Sequence, residues 1–169
     1  GIMLMDAKDP PSRQSKEVLA DPRVKIVEAD LCDARAMARL IDTDGGKFTA
    51  VTTIHLAAVL SGYAEENFDL GMKVNLHGSL GVMEVVRDLS ARLGKPQIYV
   101  YTSTDYVTAF IPQNKVAPTN EESFRLCPVS YGCQKACVEI LLSDYTRKGF
   151  FDGKRCAFVD HSDRRFCIA

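Results

Sequence analysis

Gln97-Ile-Tyr-Val-Tyr-Thr-Ser-Thr104 is a run of β-branched and aromatic residues that ends on three hydroxyls, which makes it a strand with a polar carboxyl end. Immediately before it, Phe68 to Leu93 carries Leu70, Val74, Leu80, Val82, Met83, Val86 and Leu89 at helical spacing, loosened near Gly78 and Gly81, and Gly94-Lys-Pro96 stops the helix. The same alternation extends outward in both directions. Upstream, the strand patterns are Ile2-Met-Leu-Met5 closed by Asp6, Val24-Lys-Ile-Val27 running into Glu28-Ala-Asp30-Leu31, and Val51-Thr-Thr-Ile-His-Leu56. A Pro10-Pro11 turn, a short helix over Ala34 to Ile41 and an Asp44-Gly-Gly46 turn separate them. Downstream, Ser130 to Lys148 reads as a second long helix with Ser130 as its N-cap. Strands alternating with helices predict an α/β chain with a doubly wound parallel sheet covered on both faces, and chemistry in such sheets gathers at the carboxyl ends of the strands.

Asp6, Asp30, His55 and the Thr102 to Thr104 cluster all fall at or just beyond a predicted strand end, which places them on one rim. Taken singly, Asp6 and Asp30 also read as turn acids and Asn75 as a helix-surface amide. In Tyr131-Gly-Cys-Gln-Lys135 the tyrosine and lysine are one helical turn apart, so both side chains share a face and the ammonium can favour the phenolate. A half-buried tyrosine beside a snorkelling lysine gives the same spacing without any chemistry. A free tyrosine titrates near about 10, so a base poised near neutrality needs about 4 kcal/mol in favour of the phenolate. A lysine in a partly dry site, helped by a helix N-terminus, is of the right size to supply it.

The 169 residues suffice for one domain with its own core. A net charge of −1 with dispersed Lys and Arg gives no footprint for nucleic acid, and Lys154-Arg155 with Arg164-Arg165 reads as solvated surface. No apolar run reaches membrane-spanning length and no signal-peptide pattern opens the sequence, so a cytoplasmic location is expected. Cys32, Cys127, Cys133, Cys137, Cys156 and Cys167 form no C-x-x-C pair, and the histidines are scattered; the thiols are expected to be buried and free, and no metal is assigned.

These residues resemble the extended short-chain dehydrogenase/reductases, the superfamily of NAD-dependent epimerases and dehydratases. The likeness is carried by Asp30-Leu31, His55-Leu-Ala-Ala58, Asn75 in Val74-Asn-Leu-His-Gly78, the hydroxyls before Asp105, and Tyr131 with Lys135. Ala57 to Asn75 and Asp144 to Gly153 are similar to the D-erythronate dehydrogenase branch. The resemblance implies a Rossmann-like fold, NAD as cofactor and a small sugar acid as substrate. Tyr131 would be the base, Lys135 would depress its pKa and hold the nicotinamide ribose, and Thr104 would bond the reacting oxygen. Asp6 would accept from the adenosine ribose, Asp30 and Leu31 would border the adenine, Leu56, Ala57 and Ala58 would line the cofactor cleft, and Asn75 completes the cofactor-binding set. A homodimer through the two long helices is the implied assembly.

The chain departs from that pattern in three places. The family opens with a strand and a G-x-x-G-x-x-G turn whose amides cradle pyrophosphate, and Gly1-Ile-Met-Leu-Met-Asp6 already resembles the second strand. The sheet is therefore expected to be incomplete, lacking the first strand with its loop and the C-terminal substrate region. Residues 1–155 read as a partial NAD-binding domain and 156–169 as a divergent tail, in which Phe158-Val159 is too short for the family's next strand. Thr104-Asp105-Tyr106 places an aspartate where sugar-nucleotide dehydratases keep one but a tyrosine where they keep glutamate, which reads as a turn acid. Three functions fit: a dehydrogenase of a short sugar acid, a catalytically silent interaction module that cannot hold a dinucleotide, and a nucleotide-sugar epimerase or dehydratase.

Overall fold

Strand and helix alternate along the chain as the patterns predict. The computed structural model describes residues 1–8, 15–42, 48–107, 127, 129–152, 157–159 and 166–168. Strand β1 (Ile2–Asp6) pairs in parallel with β2 (Val24–Glu28), Ile2 opposite Val24 and Asp6 opposite Glu28. Between them lies α1 (Lys16–Ala20), whose first turn is capped by the Ser15 hydroxyl accepting from the Val18 amide at 3.3 Å. After β2 comes α2 (Ala34–Asp42), where the Asp33 carboxylate accepts from the Ala36 amide at 2.9 Å. Strands β3 (Thr52–His55) and β4 (Ile98–Thr102) are parallel, with His55 opposite Tyr101. Next to β4, β5 (Ala157–Val159) adds a parallel strand, and β6 (Phe166–Ile168) closes antiparallel on β5. Phe158 and Val159, too short on sequence grounds, do take up the place beside β4, because Tyr101 and Thr102 offer them a free ladder.

Among the described residues the strands form two sheets, ordered β1-β2 and β3-β4-β5-β6. Packing from α2 and from the end of β2 ties them together. Met37 of α2 lies in the same buried cluster as Met83 and Tyr99, and Leu31, just beyond β2, presses on Gly78, where an added Cβ would stand 2.2 Å from Leu31 Cδ1. Gly78 leaves room for the Leu31 side chain, whose end would have to swing away from any added Cβ.

The long helix before β4 has parts that the apolar spacing alone does not reveal. A short α3 (Ser61–Glu66) precedes α4 (Phe68–Gly71), which runs without a break through a π-helical segment, Met72–Gly78, into α5 (Ser79–Leu93). The looseness expected near Gly78 is this π segment, which ends there. Gly94, at φ 67°, terminates α5 in the left-handed conformation. Helix α6 (Ser130–Arg147) and α5 cover β4, burying Met83, Val86, Val138 and Leu142 around Tyr99 and Tyr101. Phe151 stacks on Tyr99 with ring centroids 5.1 Å apart and seals the far end.

Three expectations are corrected or left aside. Val129, extended at φ −139°, is the N-cap of α6, and Ser130 is its first helical residue. Its side chain makes no cap; the Ser130 amide donates instead to the Glu65 carboxylate of α3 at 2.8 Å, so a remote acid satisfies an orphan donor. Cys133 and Cys137 are free but exposed, because the buried stripe of α6 runs through Gln134, Lys135, Val138 and Glu139 instead. The turns at Pro10-Pro11 and Asp44-Gly-Gly46 and the run Asp160 to Arg165 lie outside the described residues.

Candidate active site

The carboxyl ends of β3 and β4 and the first turns of α6 build the site. Lys135 is 1% exposed, and its ammonium donates to the Thr102 carbonyl at 2.8 Å. It sits 4.5 Å from the Tyr101 ring centroid and 5.7 Å from that of Tyr131, so the spacing of four does bring cation and phenol ring together. Burial drives the Lys135 pKa down from 10.5 to about 8, against the opposing pull of the Glu139 carboxylate one turn further along α6. Glu139 is itself buried, at 4% exposure, and was not singled out by sequence; its position four residues after Lys135 was the available signal. An ammonium has three N–H donors. Thr102 takes one, and no other acceptor for it occurs among the described residues.

Thr104 leaves the end of β4 and enters a 3₁₀ turn (Asp105–Val107), its hydroxyl accepting from the Tyr106 amide at 3.3 Å. That turn is pressed against α6. A Cβ on Gly132 would lie 2.2 Å from the Tyr106 carbonyl oxygen, so the glycine between Tyr131 and Cys133 lets the Thr104 loop approach the helix that carries Tyr131. Thr102 Oγ1 donates to the His55 carbonyl at 3.0 Å and locks the two strand ends together.

His55, on the same rim, is committed to structure. Its Nε2 faces the Ala57 carbonyl at 3.2 Å, which can only accept, so Nε2 carries the proton and Nδ1 accepts from the Tyr99 hydroxyl at 2.7 Å. Burial, with the Lys135 charge adding to it, holds the His55 pKa down at about 4. The following residues Leu56 and Ala57 are exposed and Ala58 is half-buried, forming an open, small-residue loop.

The remaining site residues divide into two groups. Asp6 ends β1; one carboxylate oxygen accepts from the Lys8 amide at 3.3 Å, which turns the chain at the strand end. Asp30 accepts from the Cys32 amide at 2.9 Å, and this bond, with the Lys73 charge adding to it, keeps its carboxyl below the ordinary range. Leu31 is occupied by its contact with Gly78. Asn75, in the π segment, is 1% exposed and its amide is spent inside the protein. Oδ1 accepts from the Val59 amide at 2.7 Å, and Nδ2 donates to the Val59 carbonyl at 3.0 Å and to Gln134 Oε1 at 2.8 Å. The structure thus brings Tyr131, Lys135 and the strand end bearing Thr104 together, places Asp6 and Asp30 at the ends of the other sheet, and turns Asn75 into a clamp on the loop after β3. No cluster of metal-ligating side chains and no helix long and apolar enough to cross a membrane occurs among the described residues.

Residues 4–154 match the model of the NAD dependent epimerase/dehydratase family. The chain is 42% identical over 137 residues to D-erythronate dehydrogenase from Cupriavidus necator, covering 80% of this chain and 38% of that protein. It is 32% identical over 136 residues to D-erythronate dehydrogenase from Haemophilus influenzae, covering 79% and 38%. Among solved structures, the nucleoside-diphosphate-sugar epimerase from Agrobacterium tumefaciens superposes with a TM-score of 0.71 at 29% identity, over 94% of this chain and 41% of that one. Both sheets therefore keep one common Rossmann-type frame, and the chain spans well under half the length of these relatives. It belongs to the NAD dependent epimerase/dehydratase family.

Proposed function

We propose that residues 1–155 carry the cofactor cleft and proton-transfer set of an NAD-dependent dehydrogenase that oxidises a secondary hydroxyl of a short sugar acid such as D-erythronate. The observation that carries this reading is the Lys135 ammonium, sealed from solvent, bonded to the end of β4 and 5.7 Å from the Tyr131 ring. The residues fit a dinucleotide. Two of the ammonium's N–H groups have no acceptor among the described residues and suit ribose hydroxyls, and Asp6 offers a carboxylate to the other ribose. Asp30 and Leu31 would border the adenine, and Leu56, Ala57 and Ala58 would line the cleft. When bound, NAD supplies the hydride acceptor. Tyr131 would take the proton of the hydroxyl on the carbon that gives up its hydride, ending as a neutral phenol as the alcohol becomes a ketone. Thr104 steadies the reacting oxygen, and the charge on Lys135 favours the phenolate.

The choice of sugar acid follows the two D-erythronate dehydrogenases, each aligned over 38% of its length. Purified chain is expected to bind NAD by calorimetry and to reduce it with D-erythronate, and Tyr131→Phe to abolish turnover with the fold intact. Full activity in Tyr131→Phe would overturn the assignment. The silent-module reading is favoured by one observation: β1 and β3 each use a single pairing edge among the described residues, so the sheet is interrupted where a Rossmann sheet places its central strand. The absence of both binding heat and thermal stabilisation at about millimolar NAD would decide for that reading. Exposed Phe68 on α4 and Ile140 on α6 supply apolar surface for a homodimer, which sedimentation of the same sample tests; a monomer at all concentrations removes it.

A further inference from the structure

Gln134 stands between Tyr131 and Lys135 on α6, yet its carboxamide reaches a different part of the fold. It is 2% exposed, lies against Gly71, and accepts at Oε1 from Asn75 Nδ2 at 2.8 Å. The orientation of this pair is determined. The Val59 amide can only donate, so Asn75 must present Oδ1 to it; Nδ2 then faces the Val59 carbonyl and Gln134, which must present its oxygen. The cost is visible at the other atom of the carboxamide, where Gln134 Nε2 is buried without a hydrogen-bond partner among the described residues. An unpartnered buried amide N–H₂ is expensive, and a methionine of similar length would fill the same space more cheaply. Space is reserved for the amide as well: a Cβ on Gly71 would fall 2.7 Å from Nε2 and 3.0 Å from Oε1. What a glutamine has here and a methionine lacks is the oxygen offered to Asn75.

We infer that Gln134 is a positioning residue whose carboxamide, through Asn75, fastens the turn of α6 bearing Tyr131 and Lys135 to the backbone of the loop after β3 at Val59. Loop and helix then move as one body, so whatever fills the cleft beside Ala57 and Ala58 meets Tyr131 at a fixed distance. The catalytic consequence rests on the dehydrogenase reading; the clamp does not.

The test is Gln134→Met in the full chain, read by amide hydrogen exchange. The Val59 amide is expected to exchange about tenfold faster or more, while the melting midpoint stays within about 3 °C because an orphaned N–H₂ is lost together with the bond. Turnover is expected to fall about 10- to 100-fold with NAD affinity changed less than about threefold, the split a misplaced base produces. Gly71→Ala, which crowds the same amide from α4, is expected to give the same local exchange and carries the test if Gln134→Met does not fold. Unchanged Val59 protection in either folded variant overturns the inference, as does faster exchange spread evenly over all amides, which marks a space-filling role. If the wild-type chain shows no NAD-dependent turnover, the dehydrogenase reading falls while Val59 exchange still decides the clamp.

Discussion

Replacing Lys135 by methionine should change how stability depends on pH in one direction only. In the folded chain the ammonium is 1% exposed and its pKa is driven by burial from 10.5 to about 8. At about 1.4 kcal/mol per pH unit, that difference is about 3 kcal/mol of linkage. The folded value lies below the unfolded one, so the unfolded chain binds the extra proton between the two. Stability from this group is therefore fully present above pH 10.5 and is lost as the pH falls through about 8, below which both states are charged. Urea unfolding of Lys135→Met against its parent, both carrying Tyr131→Phe and under reducing conditions, at several pH values from about 7.5 to 10.5, isolates the effect, because the remaining lysines, tyrosines and thiols titrate in both proteins. The parent minus variant difference should rise by about 3 kcal/mol across that interval. Its absolute value at neutral pH is less informative, since the variant also strands the Thr102 carbonyl and removes a positive charge near the buried Glu139. A difference that stays flat, or falls with pH, would show that the ammonium is hydrated and refute its role as a desolvated charge beside Tyr131.

Two further changes probe the scaffold. His55, held neutral with a pKa of about 4, should make the chain lose up to about 3 kcal/mol as the pH drops from 6.5 to 4, because the unfolded state takes up the proton first; His55→Gln should flatten that part of the profile in matched urea titrations. Gly132→Ala forces a Cβ to 2.2 Å from the Tyr106 carbonyl, so it should destabilise by about 1–3 kcal/mol in thermal melts and lower turnover by displacing Thr104; a wild-type melting midpoint would show that the 3₁₀ turn does not bear on α6.

Much of the architecture was legible because it is written in local pattern. Apolar runs closed by polar residues located β1 to β4 within a residue or so, and helical periodicity located α5 and α6. The pieces that escaped are those whose cause is not local. Helix α3 is only six residues long, with a single buried position, Ala64, and so has no apolar stripe to read. The π segment carries contacts that reach far along the chain, Leu31 on Gly78 and Asn75 on Val59, across 47 and 16 positions of sequence respectively. The cap of α6 was misassigned for the same reason: Ser130 has the right chemistry, but Glu65 from another helix supplies the acceptor.

The same distinction runs through the site. Tyr131 and Lys135 were visible because a helix turns four residues of spacing into proximity. The environment that gives the lysine its properties, however, comes from the Thr102 carbonyl on β4 and the Tyr101 ring beneath it, 33 and 34 positions earlier in the chain. Polar identity proved a poor guide to exposure of function: His55, on the predicted rim, and Asn75, singled out by resemblance, have every side-chain hydrogen-bonding atom directed to protein partners, whereas Gln134, which no spacing rule selects, links Asn75 to α6. A site of this kind has two tiers. One holds groups that keep unspent donors or acceptors, Lys135 foremost, and these are the groups available to a ligand. The other holds the Asn75 amide and the His55 imidazole, whose side-chain atoms are all bonded to protein, with Gln134 tying Asn75 to α6, and their contribution is to fix where the first tier stands.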